Sequence, residues 1–238
     1  MVYTTWENTI HDGSQLQEGE DVELRREDPL YQQIYRILRQ QIVYGHFKAG
    51  ESLSESRIAQ SFNVSRTPVR EALQKLASER LVVLRGFELT VANPTHEEFV
   101  ELYACRTALE QVVAEKSAEL AVPADIANMH EALAEARTAI DKGDHARVFK
   151  ANTQFHDHMV ASTRMPLLAE LLDSIRGQIL IARRHVLAES IEIENGIFQE
   201  HMDLMRAIEA HQPTNAKMLM ARHMQDDLER GLKNFPSK

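Results

Sequence analysis

The chain has one cysteine, Cys105, in 238 residues, a single tryptophan and no long apolar run. One thiol excludes an intramolecular disulfide and suits a reducing compartment. No apolar segment approaches the roughly 20 residues that a membrane-spanning helix requires. Lys and Arg are missing before Arg25, and no apolar stretch follows the first residues, so the N-terminus does not read as a secretory signal. These absences point to a cytoplasmic protein with no membrane partner. Positive charge is also scarce: 27 Lys and Arg stand against 36 Asp and Glu, a net charge of −9.

The deficit is uneven. Residues 1–24 hold six acids and no Lys or Arg; residues 25–93 hold eleven Lys/Arg against seven Asp/Glu; residues 94–238 hold sixteen against 23. A basic middle between acidic flanks is the asymmetry of a small DNA-binding module joined to a larger domain with another task. Three segments are expected: a flexible acidic tail over 1–27, a DNA-binding domain over 28–93 and an all-helical domain over 94–238.

Within the basic middle, Leu30, Ile34, Ile37, Leu38, Ile42 and Val43 keep a helical period that Gly45 ends. A turn through Gly50 leads to a short extended piece. A second helix then starts at Ser52 or Ser54, and Asn63 breaks it. Ser65 or Thr67 can cap a third helix, in which Pro68 suits the first position and Val69, Ala72, Leu73 and Leu76 face inward. Arg66, Thr67 and Arg70 are left outward near its positive N-terminal end, where an anion is the natural neighbour. This is the layout of a helix–turn–helix. Two β-prone runs follow, Leu81–Leu84 and Glu88–Val91, joined through Arg85 and Gly86. A hairpin placed there makes a winged helix with Arg85 and Gly86 at the wing tip.

The run from Gly50-Glu51-x-Leu53-Ser54-Glu55 through Val64-Ser65-Arg66-Thr67-Pro68-Val69-Arg70-Glu71-Ala72-Leu73 resembles the N-terminal domain of the GntR family of bacterial transcriptional regulators. The resemblance covers about 29–93. It implies that Arg66 and Arg70 bind DNA and that the wing enters the minor groove. The chain departs from the family pattern at Ser56, where Arg is common, with Arg57 one place later. It departs again at Arg80, where Gly is usual.

Asn93-Pro94-Thr95 closes this domain, and Thr95 with Glu98 is placed for a capping box. Beyond it six helices are expected, near 95–121, 123–142, 144–163, 166–189, 193–211 and 213–234, packed as an antiparallel bundle. The fold class is therefore mainly α.

Polar residues interrupt the apolar stripes of this bundle. Arg106 lies among Phe99, Leu102, Leu109 and Val113, and a buried guanidinium needs an anion. Either Glu110 one turn on supplies it, or a carboxylate ligand does. Asn152 and His156 sit one turn apart on a single face. His201 and His223 lie on the apolar faces of two further helices. Imidazoles from three helices suit Zn, Ni, Co or Mn.

Arg106-x-x-Leu109-Glu110, Asn152-x-x-Phe155-His156, Glu200-His201 and His223 together resemble the FCD effector domain of the FadR subfamily of GntR regulators, over about 95–235. The resemblance implies a metal held by Asn152, His156, His201 and His223, with Arg106 helping to hold a small carboxylate effector. Asn152 stands where Asp is usual, which implies weaker metal affinity. The function expected is a non-enzymatic, ligand-responsive regulator, with repression as the expected sense. As a homodimer it would bind a near-palindromic duplex operator, Arg57, Arg66, Thr67, Arg70, Arg85 and Gly86 meeting the DNA. The competing readings are a metal-only sensor and a histidine-ligated metalloenzyme.

Overall fold

The computed structural model describes residues 28–187 and 190–233, without the side chains of 184–187. The expected acidic tail over 1–27 lies outside the described residues.

Helix α1, Leu30–Val43, buries Ile34, Leu38 and Ile42 along one face. Helix α2, Glu55–Ser61, is capped by Ser54, whose hydroxyl accepts from the Arg57 backbone N–H. Asn63, at φ 51°, makes the break before helix α3, Arg66–Ser78. Ser65 stands at the N-cap of α3, but its side chain makes no capping bond, and Pro68 is the third helical residue rather than the first. The position suits proline all the same, because the first four helical N–H groups have no partner within the helix. Val69, Ala72, Leu73 and Leu76 are buried as their spacing requires.

Strands β1, Val82–Arg85, and β2, Glu88–Val91, pair antiparallel with Arg85 opposite Glu88, leaving Gly86-Phe87 as a two-residue turn. Gly86 takes φ 63°, as such a tight turn demands. The extended piece before α2 joins this hairpin as a third short edge through Gly50, Glu51 and Leu53, which bond the backbones of Leu89 and Val91. Arg80 adopts φ 54°, a left-handed conformation that glycine takes at less cost.

The bundle consists of α4 (His96–Leu120), α5 (Pro123–Lys142), α6 (His145–Ser162), α7 (Pro166–Leu187), α8 (Ile191–Glu209) and α9 (Pro213–Lys233). The capping box of Thr95 and Glu98 opens α4. Gly143 ends α5 in the left-handed conformation. Ser190 caps α8, which starts two residues before its expected start at 193. Helix α4 is central: it lies along α9 and also contacts α6, α7 and α8. Gly231 of α9 admits the Phe99 ring of α4.

The two halves share a core. Residues of α1, α3 and the hairpin cluster with Phe99, Tyr103, Phe149 and Ile179 of the bundle. Gly177 of α7 packs on Leu81, where a methyl group would come within 2.7 Å of Leu81 Cγ. The Tyr44 ring at the end of α1 meets Phe149 of α6 edge-on, 5.9 Å between centroids.

Candidate nucleic-acid interface and candidate metal centre

At the winged helix, Arg57, Arg66, Thr67, Arg70, Arg85 and Gly86 are all exposed. Arg66 and Thr67 occupy the first turn of α3, and Arg70 follows one turn on. Arg70 is not free: its Nη2 donates to Glu55 Oε2 at 3.0 Å and its Nε shares the same carboxylate. That hydrogen bond holds the Glu55 carboxyl below its ordinary value. The pair ties α2 to α3 and orients the Arg70 fork. Arg85 Nη2 reaches back to the Asn93 carbonyl at 3.4 Å. Beside it Phe87 is fully exposed and Leu84 largely so. Sequence reasoning passed over both. The signal was available, since two large apolar residues at a hairpin tip have no core to enter.

In the bundle, His156 of α6, His201 of α8 and His223 of α9 bring ring nitrogens within 4.8 Å of one another, and all three are buried. His201 Nε2 and His223 Nε2 face each other at 3.3 Å. Two carboxylates set the outer nitrogens: His223 Nδ1 lies 2.7 Å from Glu200 Oε2, and His156 Nδ1 lies 3.3 Å from Glu110 Oε2. Carboxylates placed on the far nitrogen of an imidazole orient the near nitrogen toward a cation. Arg230 in turn pairs with Glu200. Burial works to raise the Glu200 carboxyl, but the hydrogen bonds from His223 and Arg230 outweigh it and hold the group below its usual value.

Desolvation, helped by neighbouring positive charge, pushes His156 and His201 well below their ordinary value, so their rings are neutral and carry free lone pairs. Among the described residues, His156 Nε2, His201 Nδ1, and Asn152 Oδ1 and Nδ2 are buried without a hydrogen-bond partner. Lone pairs on the imidazole nitrogens and on Asn152 Oδ1 are what a cation would satisfy. The residues present therefore fit a divalent metal.

Arg106 of α4 is 1 % exposed and sits between two carboxylates: Nε is 3.5 Å from Glu110 Oε1 and Nη1 is 3.7 Å from Asp227 Oδ2. Burial opposes its charge, but Tyr103, Glu110 and Asp227 more than restore it. Asp227 also lies 3.9 Å from His223 Nε2. Arg106, Glu110, Thr153, His156, Arg176 and Arg183 line an inner cavity of ≈ 40 Å³. An outer cleft of ≈ 400 Å³ shares Asp157, Val160, Leu172 and Arg176 with that cavity. Arg176 donates twice to Asp157 where the two spaces meet.

Sequence reasoning missed Asp227 and Arg183. Asp227 follows His223 by one turn on the same stripe. Arg183 ends the apolar run Ile179-Leu180-Ile181-Ala182, where a charged residue is the anomaly.

A winged helix with exposed arginines, joined to a helical bundle, is the architecture of a DNA-binding regulator. The comparisons give the particular family. The FCD domain matches residues 101–226, and the bacterial regulatory proteins of the gntR family match residues 30–87. The chain belongs to the GntR family, in its FadR-like branch with a C-terminal FCD domain, and is a DNA-binding transcriptional regulator. It is 28 % identical to YdhC, an HTH-type transcriptional regulator of Bacillus subtilis (strain 168), over 88 % of this chain and 94 % of that one. It is 26 % identical to the HTH-type transcriptional repressor RspR of Escherichia coli (strain K12), over 87 % of this chain and 90 % of that one. The structure of E. coli McbR/YncC superposes with a TM-score of 0.76 at 25 % identity, over 87 % of this chain and 98 % of that one. These relatives are regulators rather than enzymes, which removes the metalloenzyme reading. Among the described residues no helix is long and apolar enough to cross a membrane.

Proposed function

We propose that this chain is a cytoplasmic, homodimeric repressor that releases or grips its operator according to a small carboxylate bound beside a metal. The observation that carries the reading is the convergence of three buried imidazoles, two of them held neutral, next to a buried arginine and a cavity. His156, His201 and His223 would hold the ion, with Asn152 as a fourth, uncharged donor. A bound Zn, Ni, Co or Mn ion would supply a Lewis-acidic site for a carboxylate oxygen. Arg106 offers the planar fork that matches a carboxylate. Glu110 and Glu200 keep the imidazoles in register.

At the other end, Arg66 and Arg70 would contact guanine edges or phosphates, with Arg57, Thr67, Arg85 and Gly86 at the margins. A homodimer would set two such helices one helical turn apart on a near-palindromic operator. The effector acts only as far as it favours one placement of the winged helix over another. The repressor RspR among its relatives supports the sense of regulation.

Arg70→Ala is expected to abolish operator binding while the fold and metal binding stay intact. Unchanged operator affinity at moderate salt, measured by fluorescence anisotropy, would sink the recognition-helix assignment. For the bundle, a thermal-shift screen of carboxylic acids with and without added metal is the test. Stabilisation by an acid that disappears in Arg106→Ala and in His201→Ala supports the effector site. One observation favours a metal-only sensor instead: Arg106 already has Glu110 and Asp227 as partners. Stabilisation by metal with no response to any acid would establish that reading.

A further inference from the structure

Arg183 of α7 is the one cavity-lining cation without a carboxylate among the described residues. It is 5 % exposed. Its Nη1 donates to Thr153 Oγ1 at 3.1 Å, and its guanidinium lies 5.7 Å over the Phe149 ring. Both partners are neutral. Arg106 has Glu110 and Asp227, and Arg176 has Asp157, but Arg183 forms no ion pair among the described residues. A buried guanidinium held only by a hydroxyl and a ring face is costly to keep. Its environment expresses the same cost: desolvation, then the nearby charge of Arg106, lowers its proton affinity.

Counted formally, the inner cluster holds two guanidiniums, Arg106 and Arg183, against two carboxylates, Glu110 and Asp227. A divalent ion on the histidines would leave two positive charges in excess. Both arginines line the same small cavity, which shares Arg176 with the outer cleft. Thr153 is itself anchored, since its hydroxyl donates to the Phe149 carbonyl at 2.8 Å while accepting from Arg183. The arm is positioned before any ligand arrives.

We propose that Arg183 is a second anion-binding arm of this cavity, and that the effector is a short dicarboxylate with one carboxylate for Arg183 and the other for Arg106 and the histidine cluster. The inference rests on the effector-site reading above and names its ligand class. A monocarboxylate neutralises only one of the two excess charges.

The test uses the full-length protein loaded with Zn(II), with titration calorimetry and thermal shift against two matched pairs, butyrate with succinate and lactate with malate. Each diacid is expected to bind at least about tenfold more tightly than its monoacid, as a buried charge-assisted pair would give. In Arg183→Gln the preference should vanish while monoacid affinity stays the same. Thr153→Val, which removes the positioning bond but keeps the charge, should shrink the preference. Operator binding by both variants checks their folding. Equal affinities within each pair for the wild type, or a preference that survives Arg183→Gln, would overturn the assignment. Monoacid binding that depends on Arg106 but shows no diacid preference defeats Arg183 alone. Failure of all four acids to bind the wild type defeats the cavity reading with it.

Discussion

Asn152 has neither of its buried amide atoms paired, and that makes it the most informative side chain of the bundle. An unpaired buried amide costs about 1–3 kcal/mol. Asn152→Asp adds a charge that only a cation would neutralise. The variant is expected to melt at lower temperature than the wild type in chelator and to bind Zn(II) at least about tenfold more tightly. A variant that leaves metal affinity unchanged places residue 152 outside the coordination sphere. At the winged helix the analogous residue is Glu55, which holds Arg70 in a shared hydrogen bond. Glu55 orients the fork, and it also competes with DNA for it. Glu55→Gln should therefore raise affinity for a scrambled duplex several-fold, since a negative charge beside the phosphates is gone. Preference for the operator should fall, because the fork is no longer aimed. Anisotropy titrations on both duplexes at two salt concentrations read out the two effects.

Helices α4 and α9 pack extensively on each other, and they carry Arg106 and His223 to the same place. Gly231 makes that approach possible, because an added methyl would overlap the Phe99 ring. Alanine is a better helix former than glycine by about 1 kcal/mol. Overpacking a tight core costs about 1–3 kcal/mol. Packing wins, so Gly231→Ala should lower the melting temperature and loosen metal binding together, read by calorimetric scanning with and without Zn(II). Helix α6 is read from its sequence only in part. Its Asn152, His156 and apolar stripe are local periodicity and were legible. That Glu110 would orient His156, or that Thr153 would hold Arg183, depends on which face of α4 and α7 meets α6. No spacing within one helix encodes that.

Across the whole molecule, the winged helix and the bundle share one core, and the cavity lies close to the seam. Arg183 sits on Phe149, and Phe149 meets Tyr44 at the end of α1. Tyr44→Leu keeps most of the apolar contact but removes the edge-on ring. It is expected to leave effector affinity unchanged and to reduce, by several-fold, the change in operator affinity that effector causes. An unaltered ratio of operator affinities with and without effector would place the coupling elsewhere.

The sequence alone determined what depends on local rules. Helical period, caps and breakers marked every described element to within a few residues, and the uneven charge set residues 25–93 apart from their acidic flanks. The exposed arginines of α3 and the buried polar residues of the bundle followed from the same periodicity. Only the tertiary structure decided how those residues combine. It paired Arg70 with Glu55, set Glu110 and Asp227 around Arg106, and brought three histidines from three helices within 4.8 Å. It also left Arg183 buried without a counter-charge among the described residues. Periodicity tells which face of a helix is inward, but the partner across the interface is chosen by how all six helices pack.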